Sequence, residues 1–63
     1  MPVIQVYMIA GRTPEQKAAF ITQVTDAAVS ALGVEPSSVR VMCLDVPKTD
    51  YAIGGHTASA LGR

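Results

Sequence analysis

Apolar positions recur along this chain in two different periods, and the change of period marks its elements. The stretch from Val3 to Ile9 reads Val, Ile, Gln, Val, Tyr, Met, Ile, a β-branched and aromatic run that predicts a strand. Alternation places Ile4, Val6 and Met8 on one face and Val3, Gln5, Tyr7 and Ile9 on the other. "AGRTPEQ" breaks the run, with Gly11 as a turn residue. Thr13 then suits an N-cap, Pro14 the first helical position and Gln16 the far side of a capping box. The spacing from there predicts a helix from Pro14 to Leu32. At about 100° per residue, Phe20, Ile21, Val24, Ala27, Ala28, Ala31 and Leu32 gather within an arc of about 140°, a single core-facing stripe. Thr22, Gln23, Asp26 and Ser30 cover the other side, and Gly33 is placed as the C-terminal cap.

"VEPSS" predicts a loop or short turn. Residues 39–46, "VRVMCLDV", are apolar at most positions of both faces, the pattern of a strand buried on both sides. Strand, helix, strand is a β-α-β unit, and the crossover makes the two strands parallel with a right-handed connection. "PKTDYAIGGHT" is a loop whose Gly-Gly pivot accommodates a short hairpin. "ASALGR" is a tail, expected to be ordered only by a neighbouring subunit.

Size now changes the picture. A chain of 63 residues makes one domain, residues 1–63, and buries only about 60% of the surface its unfolded form exposes. Ordering costs roughly 1.5 kcal/mol per residue, so an isolated core comes out near break-even. The one cysteine, Cys43, excludes an intrachain disulfide, and one cysteine with one histidine, His56, gives no zinc spacing. Self-association remains, and the 49% hydrophobic content suits it. Five basic and five acidic residues cancel, with no basic stripe to argue for nucleic acid. The apolar runs fall far short of the roughly 20 residues of a membrane span. No basic stretch precedes the first apolar run and Gln5 interrupts it, so no secretory signal is expected. A reduced cytoplasm is the expected home.

The candidate chemistry begins at Pro2. Proline is tolerated as the first residue of a strand, but removal of Met1 before so small a residue leaves Pro2 with a free secondary amine. Parallel strands start at the same sheet edge, so Pro2 and Arg40 meet at one end if their strands are neighbours. Arg12 lies past the other end of the first strand, ten residues at roughly 3.3 Å each and hence about 30 Å away. Arg12 therefore cannot serve its own Pro2; it is free to serve the Pro2 of another subunit, and so is Tyr51. A free α-amino group titrates near 7.7–8.0 in model peptides. Apolar neighbours and nearby arginines both disfavour its charged form, which suits a general base at neutral pH. Arginine forks bind carboxylates. An uncharged base between two arginines suits an acidic substrate with a proton to move. Each residue also has an ordinary role when taken singly. Arg40 guards a strand edge, Arg12 is solvated in a turn, and Tyr51 packs. His56 is surface-polar and Cys43 sits inert in the core. Lys17 falls inside the apolar arc and snorkels out, while Asp45 and Asp50 are solvated carboxylates.

Together these features resemble the 4-oxalocrotonate tautomerase family of the tautomerase superfamily, over essentially the whole chain. The resemblance rests on Met-Pro before a strand, "AGRTPEQK" before the helix, "SSVRV" at the second strand and "IGG" after an aromatic. It implies an α/β fold with a β-α-β protomer, a short C-terminal hairpin and tail, dimers that form four-stranded sheets, and a hexamer built as a trimer of dimers, either of identical chains or of two similar ones. It implies that Pro2 is the amino-terminal base, that Arg40 holds the 2-oxo or 2-hydroxy and carboxylate oxygens and stabilises enolate charge, and that Arg12 of another protomer holds a distal carboxylate. Tyr51 takes the place of an aromatic wall. The implied reaction is enol–keto tautomerisation of a small unsaturated 2-hydroxy acid, without metal or organic cofactor. The departures are tyrosine where better-known members carry phenylalanine, Ala52 for a glycine, and His56 for a glutamate. Family relatives also hydrate or dehalogenate unsaturated acids, so those reactions and a catalytically silent subunit stay open as alternatives. With Met1 still attached, Pro2 is a tertiary amide without a basic lone pair.

Overall fold

The computed structural model describes residues 1–63. Val3–Ile9 forms strand β1, Pro14–Leu32 helix α1, and Arg40–Val46 strand β2. β1 and β2 lie side by side and parallel, in register from Val3 opposite Arg40 to Ile9 opposite Val46, with α1 as the crossover. Two short strands, β3 (Ala52–Ile53) and β4 (His56–Thr57), pair antiparallel as a terminal hairpin. The expected β-α-β protomer is therefore present. Gly54 and Gly55 form the hairpin pivot at φ 60° and 84°, left-handed positions that a β-carbon disfavours and glycine accepts.

Local chemistry sets the helix ends where the sequence places them. The Gln16 backbone N–H donates to Thr13 Oγ1 at 3.1 Å, and the Thr13 N–H donates to Gln16 Oε1 at 3.0 Å, so the capping box is closed in both directions. Gly33 caps the far end at φ 64°, its N–H donating to the Val29 carbonyl at 2.9 Å. Thr13→Ala removes one acceptor from this start and is expected to lower stability by about 0.5–2 kcal/mol. A thermal melt followed by the helical circular-dichroism signal checks it; an unchanged midpoint would contradict it.

Four expectations need correction. The second strand begins at Arg40, not Val39. Residues Pro36–Ser38 wind into a single 3-10 turn, and the Val39 N–H is spent on the Pro36 carbonyl at 3.1 Å, outside the sheet ladder. The helix face turned to the sheet is also rotated from the expected stripe: Lys17, Ile21, Val24, Thr25, Ala28 and Val29 are half-buried, whereas Phe20, Ala27 and Ala31 stay exposed on its flank. Leu32 is exposed as well, at the helix end. The tail is ordered by its own chain rather than only by a neighbour. The Ala58 N–H donates to the Tyr51 carbonyl at 2.7 Å, Ser59 to Lys48 at 3.1 Å, and Arg63 to Ala58 at 2.9 Å, and Ala58 is fully buried. Asp45, finally, is not simply solvated, because the Lys17 ammonium sits 2.5 Å from its Oδ2.

Ala58 is nevertheless the only fully buried residue. α1 covers one face of the sheet, over Ile4, Val6, Met8, Val41 and Cys43, all half-buried. The other face carries Val3, Tyr7, Met42 and Leu44, exposed by 45%, 68%, 45% and 36%. β2, patterned for burial on both sides, thus has one side covered within the protomer. The molecule measures 42 × 24 × 13 Å, with a radius of gyration of 14.6 Å, against about 10.6 Å for a compact chain of this length. A thin slab with one apolar face open does not close its own core, which is the geometry of a subunit.

Candidate active site

The sheet brings Pro2 and Arg40 to one edge. The Arg40 N–H donates to the Pro2 carbonyl at 3.0 Å, so the pair is fixed by the ladder that joins β1 to β2. Pro2 is half-buried, and Met1 before it is 77% exposed. Arg40 pairs with Val3, which places it on the face that α1 leaves open. Its guanidinium Nη1 donates to the Ser37 carbonyl at 2.5 Å, anchoring the charge beside the 3-10 turn. The turn that delays β2 by one residue therefore also supplies the acceptor that holds Arg40.

Arg12 and Tyr51 stand at the opposite end. The Ala10 N–H donates to the Val46 carbonyl at 2.9 Å, which extends the ladder past β1, and Gly11 then turns the chain at φ 130°. Arg12 follows and lines a cleft of about 170 Å³ with Met8, Gln16, Lys17 and Phe20. Tyr51 lines a second cleft, of about 260 Å³, with Tyr7, Met8, Ile9, Val46 and Arg63. A strand of seven residues at about 3.3 Å each separates the two ends by about 23 Å. One protomer therefore keeps Pro2 and Arg40 at one end of the strand pair and Arg12 and Tyr51, in separate clefts, at the other.

Arg63 and Tyr7 in the second cleft were not singled out from the sequence. Tyr7 carries a signal, since alternation puts it on the open face. Arg63 carries none: its position depends on the tail folding back through Gly62 at φ 73°. Cys43 is a half-buried free thiol in β2, His56 is exposed on β4, and no cluster of His, Cys, Asp or Glu is arranged to hold a metal ion. No helix is long and apolar enough to cross a membrane.

The profile of a family described as "tautomerase enzyme" matches residues 2–61. The chain belongs to the tautomerase enzyme family. The match runs from Pro2 into the tail and takes in Pro2, Arg12, Arg40 and Tyr51. Across all 63 residues, and the whole of its counterpart, the chain is 49% identical to the 2-hydroxymuconate tautomerase of Comamonas testosteroni. Its backbone superposes with a TM-score of 0.94 on a 4-oxalocrotonate tautomerase isozyme from Methylibium petroleiphilum, 52% identical, over 98% of this chain and 100% of that one. It superposes at 0.91 on a heterohexameric 4-oxalocrotonate tautomerase from Chloroflexus aurantiacus, 33% identical, over 97% of this chain and 98% of that one. Membership in the tautomerase family makes enol–keto isomerisation the activity of this fold, as the motifs imply.

Proposed function

We propose that this chain converts a small unsaturated 2-hydroxy acid of the 2-hydroxymuconate type between its enol and keto forms, with Pro2 as general base. The observation that carries the reading is the split of the polar groups. A base-bearing terminus and an arginine share one end of the strand pair, a second arginine and an aromatic share the other, and full-length relatives named for the reaction lie about half identical to the chain. Copies of the protomer unite the two ends. In this reading two protomers extend the sheet to four strands and three such dimers make a hexamer, residues 1–63 acting as one tautomerase domain in the cytoplasm.

Once Met1 is removed, the Pro2 nitrogen has a lone pair. It takes the proton of the substrate's 2-hydroxyl, and the O–H bonding pair becomes the enolate charge. Arg40 faces that oxygen and the adjacent carboxylate. The guanidinium stabilises charge as it develops, and its anchoring at Ser37 means that little reorganisation is needed. Electron density moves through the conjugated carbons, and the protonated Pro2 returns the same proton to carbon, leaving base and charge as they began. Arg12 from another protomer holds the distal carboxylate, and Tyr51 walls the apolar part of the chain. Its hydroxyl adds a donor beside the substrate. Neither metal nor organic cofactor enters this scheme.

The test is decay of the enol's ultraviolet absorbance with 2-hydroxymuconate and with the monoacid phenylenolpyruvate. Turnover of the diacid is expected, and Arg40→Ala is expected to lower kcat/KM by about a hundred- to a thousandfold, as loss of a donor to the transition-state charge does. Absence of decay with 2-hydroxymuconate sinks the proposal, and unchanged turnover in Arg40→Ala removes Arg40 from the mechanism.

A further inference from the structure

Lys17 is in an unfavourable place for a lysine. It lies in the first turn of α1, where the helix dipole favours negative charge and opposes positive charge. It also lies on the half-buried face turned to the sheet. Its ammonium reaches across to Asp45 of β2, a contact between residues 28 apart in sequence, and the two side chains are 29% and 42% exposed. An ion pair this exposed adds little to stability. Stability alone gives a weak reason for the pair.

The surroundings suggest another reason. Lys17 lines the same cleft as Arg12, Met8, Gln16 and Phe20, and Asp45 lies opposite Met8 in the sheet register. Asp45 is thus the carboxylate next to the one cleft that holds Arg12. The Gln16 side-chain oxygen is committed to the Thr13 N–H. Lys17 is committed to Asp45. Arg12 alone keeps an unclaimed cation, and two cations against one carboxylate leave the cleft a single net positive charge, the complement of one incoming carboxylate.

We propose that Lys17, by occupying Asp45, is a positioning residue that keeps Arg12 free for a carboxylate and thereby sets the preference for substrates with a second acid group. Without Lys17, Asp45 becomes an internal competitor: it pairs with Arg12 and repels an anionic substrate. The pair itself lies within one protomer. It rests on the reading that Arg12 binds the distal carboxylate.

The experiment compares Lys17→Met, Asp45→Asn, the double variant and Arg12→Ala on 2-hydroxymuconate and phenylenolpyruvate, with kcat and KM measured separately. Lys17→Met is expected to raise KM for the diacid about tenfold, the scale of a lost charge-assisted contact, while kcat and the monoacid kinetics hold. The double variant is expected to recover most of that loss, because its competitor is gone. Asp45→Asn alone is expected to leave KM for the diacid unchanged or lower. Should Lys17→Met fail to assemble, as sedimentation would reveal, the Asp45→Asn arm decides, and a raised KM there overturns the proposal. It is also overturned if the double variant is as impaired as Lys17→Met, or if both substrates suffer equally, the outcome of a purely structural role. A diacid penalty in Arg12→Ala without one in Lys17→Met defeats this proposal alone. Arg12→Ala without a diacid penalty defeats the Arg12 reading and this proposal with it.

Discussion

Protein that retains Met1 is expected to fold and assemble normally and to lose nearly all turnover. Acylated nitrogen donates its lone pair into the amide and has no basicity to offer, so the step assigned to Pro2 disappears. Loss of a general base lowers rates by about a hundred- to ten-thousandfold. The fold is indifferent to the change for a local reason. The Pro2 group that joins the sheet is its carbonyl, which accepts from the Arg40 N–H at 3.0 Å, and this bond does not involve the Pro2 nitrogen. Met1 itself is mostly exposed and contributes little burial. Intact mass, circular dichroism and enol decay on matched preparations, with and without the methionine, check the prediction. A full-mass species that turns over as fast as the shortened one would falsify the role of Pro2, and an inactive species that is also unfolded would show that the terminus matters for structure instead.

How much of this was legible in the sequence follows from how local each feature is. The bounds of β1 and α1 are as read from the pattern, because alternation, the Thr13–Gln16 box and the Gly33 cap are interactions between residues at most four apart. The start of β2 was missed by one residue because Val39 gives its N–H to the Pro36 carbonyl in a 3-10 turn, a local closure that apolar alternation does not mark. The apolar arc of α1 misled in a more informative way. Phe20, Ala27 and Ala31 belong to the same periodic stripe as Val24 and Ala28, yet they lie outside the sheet contact. Periodicity marks which residues avoid water, without naming what covers them, and a helix in an assembly has more than one neighbour. The Lys17–Asp45 pair, the inward fold of the tail and Arg63 in the Tyr51 cleft are contacts between distant parts of the chain and left no mark in spacing. The candidate site was legible as two ends, since strand direction alone separates Pro2 and Arg40 from Arg12 and Tyr51.

The same open surface makes Met42→Glu the substitution with the largest expected structural effect. Met42 sits in the middle of β2, opposite Gln5 and on the face that α1 does not cover, with Val3, Tyr7 and Leu44 around it. Burying one such side chain contributes roughly 1.5–3 kcal/mol. A chain of 63 residues with one residue fully buried has no other large source of stability, since cores below about 70 residues seldom supply more than 3–5 kcal/mol. On the reading that copies cover this face, an unpaired carboxylate there costs several kcal/mol per copy, and every copy in the assembly carries it. The deficit exceeds what the protomer holds in reserve, so Met42→Glu is expected to sediment as a monomer at micromolar concentration, to lose its helical signal, and to lose enol decay along with it. Diluting the parent protein should reach the same end point by mass action, with a transition that moves with concentration. A folded monomer active with either enol would break the argument at its base, because in a lone protomer Pro2 and Arg40 remain about 23 Å from the Arg12 end of the sheet.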